Sequence, residues 1–243
     1  MAGGAVDVVA VKRSRPGGMV PGGGPNLRFP GYDVLGQVDT WDEVTAGVVL
    51  ARLGPPPPIR FFTPAEQAVG AALFDQLLDQ RGGPKVPVLE LVDARLAEQI
   101  TDGWRYEDMP EDGPAFRMTF NFLDEDAQRL AGARFSELGW DTQADVVQRV
   151  QDLNEHGEQW HGLPAKHVWS LWTRYACAAF YSHPWAWNEI GFGGPAYPRG
   201  YKNIGPDKRE PWEVRDRVNR EPIEIGAIVE NARRSQARHE GIE

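Results

Sequence analysis

An irregular run near the carboxyl end holds the side chains that could take part in chemistry. It reads YSHPWAWNEIGFGGPAYPRGY over residues 181–201, with His183 and Glu189 six positions apart. A histidine and a carboxyl group held near each other could act as a general acid–base pair. The alternative is structural: Glu189 accepts backbone N–H groups or pairs with Arg199, and His183 caps the end of the preceding helix. No nucleophile or set of oxyanion donors accompanies the pair, so the sequence favours the structural role.

The chain lacks the residue spacings that metal and nucleotide sites require. It has no CxxC, HExxH or CxxCH motif, and His161 and His167 are too far apart to form an i,i+4 pair on one helix face. The glycines of residues 191–194 lie between aromatic residues, without the strand–turn–helix context of a phosphate-binding loop. We therefore expect this chain to contain no catalytic, cofactor-binding or metal-binding residues.

The remaining signal is the concentration of aromatic side chains. Glycine and proline interrupt the run 181–201 every few residues, which predicts a loop, yet six of the nine tryptophans lie within residues 160–212. Tryptophan and tyrosine are enriched at interface hot spots because they bury large areas at low entropic cost. The run therefore predicts a partner interface, although Trp185 or Trp187 could instead stack on a sugar ring. The predicted interface residues are His183, Trp185, Trp187, Glu189, Phe192, Tyr197, Arg199, Tyr201 and, from an N-terminal segment, Phe29, Tyr32 and Trp41.

The elements that position this run are helices. Thr63, Pro64 and Glu66 form a helix-start signature, and apolar residues follow at helical spacing. Pro87 opens a second helix, residues 114–130 and 142–153 supply a third and a fourth, and Pro164 opens a fifth. No strand pattern of useful length lies between them. The sequence therefore predicts an all-α fold, an irregular bundle of about five helices spanning residues 62–182.

The segments on either side of the bundle differ from it in composition. Residues 1–58 are rich in glycine and proline but contain a hydrophobic stretch from residue 26 to 53, which predicts an extended arm lying on its own domain or on a partner. We assign residues 59–205 to a helical domain ending in the aromatic loop. Residues 206–243 form a charged tail, with a possible short helix at 224–236.

Charge and hydropathy exclude several classes of protein. The net charge of −9 disfavours nucleic-acid binding, which needs clustered lysine and arginine. No apolar run approaches the roughly 18–20 residues of a transmembrane helix. The basic residues at positions 12–15 precede proline and glycine rather than an apolar stretch, so we expect a cytoplasmic protein. The single cysteine, Cys177, lies in the apolar run YACAAF and is predicted to be a buried thiol.

Two motifs together resemble a known family. The ending FYSHP, followed by W, EIGF and GPAYPRGY at residues 180–201, and the entry FFTPAE at residues 61–66 resemble the gluconate 2-dehydrogenase subunit 3 family. The resemblance covers about residues 60–205. Members of this family are small γ-subunits of FAD-dependent sugar and polyol dehydrogenases.

The resemblance implies a non-catalytic accessory subunit. The partner in such complexes is a flavoprotein of the glucose–methanol–choline (GMC) oxidoreductase type, which holds the FAD and carries out the hydride transfer. The small subunit supports folding, stability or export of the partner and commonly bears a twin-arginine leader. Here Lys12 and Arg13 lead into proline and glycine. A stand-alone enzyme using His183 and Glu189, or a sugar-binding module, remains as an alternative.

Overall fold

The computed structural model describes residues 29, 32–82, 85–203, 205 and 208–214. A 3-10 helix, Val34–Thr40, comes first. The α-helices are α1 (Glu43–Ala51), α2 (Pro64–Leu77), α3 (Val88–Ala97), α4 (Asp112–Ala131), α5 (Trp140–Glu155), α6 (Ala165–Tyr181) and α7 (Pro184–Ile190). A second 3-10 helix, Phe135–Glu137, precedes α5. A two-residue antiparallel pair, β1 (Gln159–Trp160) with β2 (Leu163–Pro164), connects α5 to α6.

Helices α2 to α6 form the bundle that the sequence predicts, and the all-α prediction is confirmed. Helix α6 runs along α5 and α3, and α2 packs on α3, α4 and α5. The centre of the core is aromatic: Trp172 and Tyr175 on α6 are buried against Phe116 and Phe120 on α4. Because Tyr175 meets the Phe116 ring edge-on at 5.2 Å, the two rings contribute more than their buried area alone.

The start of the bundle is held by one buried carboxylate. Asp93 on α3 accepts hydrogen bonds from the backbone N–H groups of Arg60, Phe61 and Phe62 at 2.6–2.9 Å. The capping box of Thr63 and Glu66 then starts α2 as predicted. The hydrogen bonds to Asp93 hold residues 60–62 against α3 and so set the direction in which the chain enters α2.

The N-terminal segment is helical where we expected an extended arm. Asp33 caps the 3-10 helix, and Asp42 caps α1 by accepting from the N–H groups of Val44 and Thr45. Such caps give hydrogen-bond partners to the backbone N–H groups in the first turn of each helix, so the segment forms helices despite its glycine content. It lies on its own domain, where it forms a second apolar cluster of Val34, Leu35, Val38, Trp41, Val49, Leu50 and Trp187. Residues 1–28 of the predicted arm lie outside the described part of the chain.

Two other expectations require correction. Residues 184–190 form helix α7 and not a loop, because the glycines and prolines stand at its ends.

Cys177 is exposed rather than buried, since it lies one position past Ala176 and so leaves the buried stripe of α6. Partial burial still raises the pKa of its thiol, which disfavours the reactive thiolate. The possible helix at 224–236 lies outside the described residues, and the domain boundaries stay predictions.

Within the described residues, no helix combines the length and the apolar character that crossing a lipid bilayer demands.

Candidate docking surface

Helix α7 carries the centre of the aromatic run, and its two ends explain why it forms. His183 precedes the helix and its Nδ1 accepts the backbone N–H of Trp185 at 3.2 Å, so it caps the start of α7 rather than the end of α6. Pro184 occupies the first turn, where its missing N–H is not needed. Gly191 ends the helix with φ of 68°, a left-handed conformation that favours glycine.

Helix α7 is joined to the N-terminal segment by buried polar contacts. The side chain of Asn188 accepts the backbone N–H of Val34 at 2.8 Å and donates to Asp33 at 3.2 Å. The indole N–H of Trp187 donates to the carbonyl of Tyr181 at 2.7 Å. The contacts of Asn188 therefore join residues about 155 positions apart in the sequence. The segment preceding α1 packs against α7 and so supports the aromatic run.

Arg199 orders the glycine- and proline-rich part of the run. Its guanidinium donates to the carbonyls of Gly193 and Pro195 at 2.9 and 2.7 Å, and to the Thr40 hydroxyl at 3.1 Å. Two indole rings flank it: Trp212 lies 4.0 Å and Trp41 5.7 Å from the guanidinium carbon. Burial lowers the pKa of Arg199 from its ordinary value. No carboxylate among the described residues pairs with Arg199, so the predicted Glu189–Arg199 pair is absent.

Two glycines allow aromatic rings to pack directly on the backbone of the run. A Cβ atom at Gly191 would stand 2.6 Å from the ring of Phe29, and one at Gly194 only 2.3 Å from the ring of Trp41. Both glycines also have a positive φ. Phe29 and Trp41 are therefore buried beneath the run, and only glycine permits that approach.

The structure separates the predicted interface residues into a supporting layer and an exposed layer. Phe29, Trp41, His183 and Trp187 are buried in this chain, so they hold the run in place rather than facing outward. Tyr32, Trp185, Glu189 and Arg199 are half-buried. Phe192, Tyr197 and Tyr201 keep 39%, 70% and 52% of their surface exposed.

Two further apolar side chains that the sequence prediction did not include are exposed near this layer. Tyr181 at the end of α6 and Ile190 at the end of α7 are 44% and 46% exposed. The sequence does contain a signal for the exposure of Tyr181: this residue lies one helical turn after Cys177, on the face of α6 away from the buried stripe. We define the docking surface as the five exposed residues Tyr181, Ile190, Phe192, Tyr197 and Tyr201.

The arrangement does not support acid–base catalysis by His183 and Glu189. His183 is buried and its Nδ1 is engaged in capping α7. Glu189 is half-buried, and burial together with the nearby carboxylate of Asp79 raises its pKa from 4.5 to about 7. No hydrogen bond joins the two side chains in the described part of the structure. Trp187 is also buried, so it cannot offer a ring face to a sugar.

The raised pKa of Glu189 predicts a pH-dependent stability. Folding favours the protonated form, so the stability due to this residue is lost as the pH rises from about 4.5 to about 7, and the full cost remains above pH 7. We expect Glu189→Gln to melt about 3–6 °C higher than the wild type at pH 8, equivalent to about 1–2 kcal/mol. At pH 4, where the carboxyl group is protonated, the variant and the wild type should melt at the same temperature. Thermal melts at both pH values test this, with the exposed Glu155→Gln as the control. An equal gain at both pH values would contradict it.

A separate cleft lies between the end of α3 and the start of α4. It encloses about 690 Å³ and is lined by Arg95, Trp104 and Asp112 among others. The lining residue Asp112 accepts a hydrogen bond from the Tyr175 hydroxyl at 2.5 Å, and burial raises the pKa of that hydroxyl further above its ordinary value. Tyr175 therefore stays protonated at neutral pH and acts as a structural donor. Among the described residues that line the cleft, the hydroxyl of Thr101 accepts the backbone N–H of Gly103 and makes no hydrogen bond to a histidine or carboxylate.

In the part of the chain that the structure describes, no three histidine, cysteine, aspartate or glutamate side chains converge as a metal site.

The sequence match agrees with the resemblance carried by the two motifs. The model of the family described as gluconate 2-dehydrogenase subunit 3 matches residues 64–194, more than half of the chain. No curated protein and no solved structure matches the chain. The chain belongs to the gluconate 2-dehydrogenase subunit 3 family. The family is that of one subunit of a multi-subunit dehydrogenase, which implies a partner chain.

Proposed function

We propose that this member of the family is a non-catalytic small subunit that binds and stabilises an FAD-dependent sugar or polyol oxidoreductase of the GMC type. The observation that carries the proposal is the docking surface itself. Its five apolar side chains are exposed to solvent although the neighbouring backbone is held by hydrogen bonds of Asn188 and Arg199. Exposed apolar groups on a fixed support are typical of a surface that another protein covers.

The rigid support favours tight association. A partner that meets a loop already held by Arg199 and by the packing of Phe29 and Trp41 has little backbone entropy left to restrict. Tyrosine adds apolar area with only two side-chain torsions to immobilise, and its hydroxyl can still bond to the partner. The helical N-terminal segment therefore favours binding, because it holds the aromatic run in one conformation before the partner binds.

The partner in this proposal holds the FAD and performs the oxidation. The motifs at residues 61–66 and 180–201 support that assignment through their resemblance to γ-subunits of such enzymes. The chemistry of the described residues agrees with it, because His183, Arg199 and Tyr175 are each engaged in structural hydrogen bonds. The present chain contributes binding and stabilisation, and the flavoprotein contributes catalysis.

Coexpression of the full chain with a GMC-type flavoprotein from the same organism tests the proposal. We expect the two to purify together and the flavoprotein to lose soluble yield without this chain. The double variant Tyr197→Ala/Tyr201→Ala should weaken the complex about 100-fold, at about tenfold for each ring removed. Binding can be measured by titrating the labelled flavoprotein.

Trp104→Ala is the matched control, because Trp104 is an equally exposed aromatic residue, at 50%, beside the separate α3–α4 cleft. It should leave binding unchanged. Absence of any complex with the flavoprotein would overturn the proposed function. Equal weakening by Trp104→Ala and by the tyrosine variant would show that the docking surface has been assigned to the wrong face.

A further inference from the structure

One carboxyl group beside the docking surface lacks the donors that comparable carboxyl groups have. Glu66 is bonded to Arg117 and Thr63, and Asp126 accepts from the indole of Trp160 at 2.8 Å and contacts His161 at 2.9 Å. Glu189, which is also half-buried, receives no hydrogen bond and no ion pair from the described residues. In the free chain its oxygens still reach water, as do those of Glu90, which is also half-buried without a donor in the described part of the chain. Glu189 differs from Glu90 in lying beside the docking surface, where a partner would remove that water.

The surroundings of Glu189 contain no free positive charge among the described residues. The charged group that acts on it is the carboxylate of Asp79, which follows α2 and pairs with Arg81. From α6, Tyr181 lies nearby: burial raises the pKa of its phenol, and the neighbouring Cys177 and Glu189 raise it further. From the end of α1, Arg52 donates instead to the carbonyl of Ser182.

A partner that covers this place changes what Glu189 requires. Glu189 lies between Asn188, which is buried, and Ile190, which belongs to the docking surface. When a second protein removes the remaining water, an ionised carboxylate without a donor becomes strongly unfavourable. A cationic side chain in the partner would remove that cost and would gain from both carboxylates, of Glu189 and Asp79.

We propose, on the premise of the proposed function, that the flavoprotein inserts a lysine or arginine side chain beside Tyr181 and Ile190 and pairs it with the carboxylate of Glu189. The apolar side chains then exclude water around the pair, and the partner is selected by the sign of its charge as well as by its apolar contacts. A flavoprotein with an acidic or purely apolar residue at this position would be disfavoured.

The inference predicts how binding depends on pH. The free chain must release the proton of Glu189 before the ion pair forms, and the pKa of that group is about 7. The wild-type affinity should therefore rise about tenfold between pH 6 and pH 8, because the ionised fraction rises by about that factor. Glu189→Gln has no proton to release and should lose this part of the pH dependence.

The test measures dissociation constants of the full chain and the flavoprotein at pH 6, 7 and 8. We expect Glu189→Gln to bind about 10- to 100-fold more weakly than the wild type at pH 8, since the partner's cation is left unpaired. Glu155→Gln, an exposed position on α5, is the control and should follow the wild type. Thermal melts at pH 8 verify that the Glu189→Gln chain is folded.

The outcomes separate this inference from the proposed function. If the wild type and Glu155→Gln bind but Glu189→Gln binds equally well with the same pH dependence, the cationic contact is wrong and the docking function stands. A wild-type affinity that falls as the pH rises would also overturn it, because Glu189 would then bind as a neutral donor. If no chain binds the flavoprotein at any pH, the proposed function fails and the inference fails with it.

Discussion

Arg199→Ala is expected to abolish detectable binding of the flavoprotein. The guanidinium holds the carbonyls of Gly193 and Pro195 and is flanked by two indole rings. Hydrogen bonds to a charged group contribute about 1.5–3 kcal/mol each, and a cation–π contact adds about 0.5–2 kcal/mol. Allowing for overlap between these contributions, we expect the closed form of the loop to lose about 3–5 kcal/mol. Tyr197 and Tyr201 would then no longer be held in one arrangement.

Two variants and one local measurement make this prediction specific. Arg199→Lys should recover little binding, because a lysine ammonium cannot bridge both carbonyls while stacking between the rings. Arg129→Ala removes an exposed arginine paired with Asp126 and should change binding by less than about threefold. Hydrogen exchange at the N–H of Gly200, which bonds to the carbonyl of Ala196, reports opening of the loop. Unchanged exchange in Arg199→Ala, with wild-type binding, would refute the role given to Arg199.

Gly194→Ala is expected to be the most destabilising single methyl addition in the aromatic run. Its φ of +80° costs an alanine about 1–2 kcal/mol. The new Cβ would also lie 2.3 Å from the buried ring of Trp41, which must move out of the second cluster. Overpacking of this kind costs about 1–3 kcal/mol more. We expect the melting temperature to fall by about 10 °C.

Gly200→Ala is the matched control for that substitution. Gly200 has a similar φ of +68°, but no atom lies within 4 Å of the position where its Cβ would stand. Its melting temperature should fall by only about 3–5 °C, which isolates the backbone cost. Equal losses for the two variants, measured by calorimetry, would show that Trp41 does not pack on Gly194 as described.

Much of the helical body could be predicted from the sequence because its signals are local. Thr63, Pro64 and Glu66 start α2 through contacts that span only three residues. On α4, Phe116, Phe120 and Leu123 lie on one face at the helical period, and all three are buried. The same reasoning was wrong at two helix ends: helical spacing predicts that Ile100 and Leu130 continue the buried apolar faces of α3 and α4, but both side chains are exposed. The spacing of apolar residues identifies the buried face of a helix. It does not show how far along that face the neighbouring helix extends.

The composition of the candidate site could be predicted, but its orientation could not. The aromatic run marks its own place in the sequence, and its resemblance to one family needs no coordinates. Whether Trp187 or Tyr197 faces water depends on the N-terminal segment, which packs on α7 through contacts that span about 155 residues. Such contacts leave no periodic pattern in either segment, because each half contains only one side of the interface.

The sequence by itself therefore determined the class of the fold, the start of α2 and the family, since these depend on neighbouring residues and on motifs. Only the tertiary structure decided which aromatic side chains are support and which are surface, and that Glu189 lies half-buried without an internal donor. The physical reason is that burial and hydrogen bonding of a side chain are set by whatever packs against it. In this protein the packing segment comes from the opposite end of the chain.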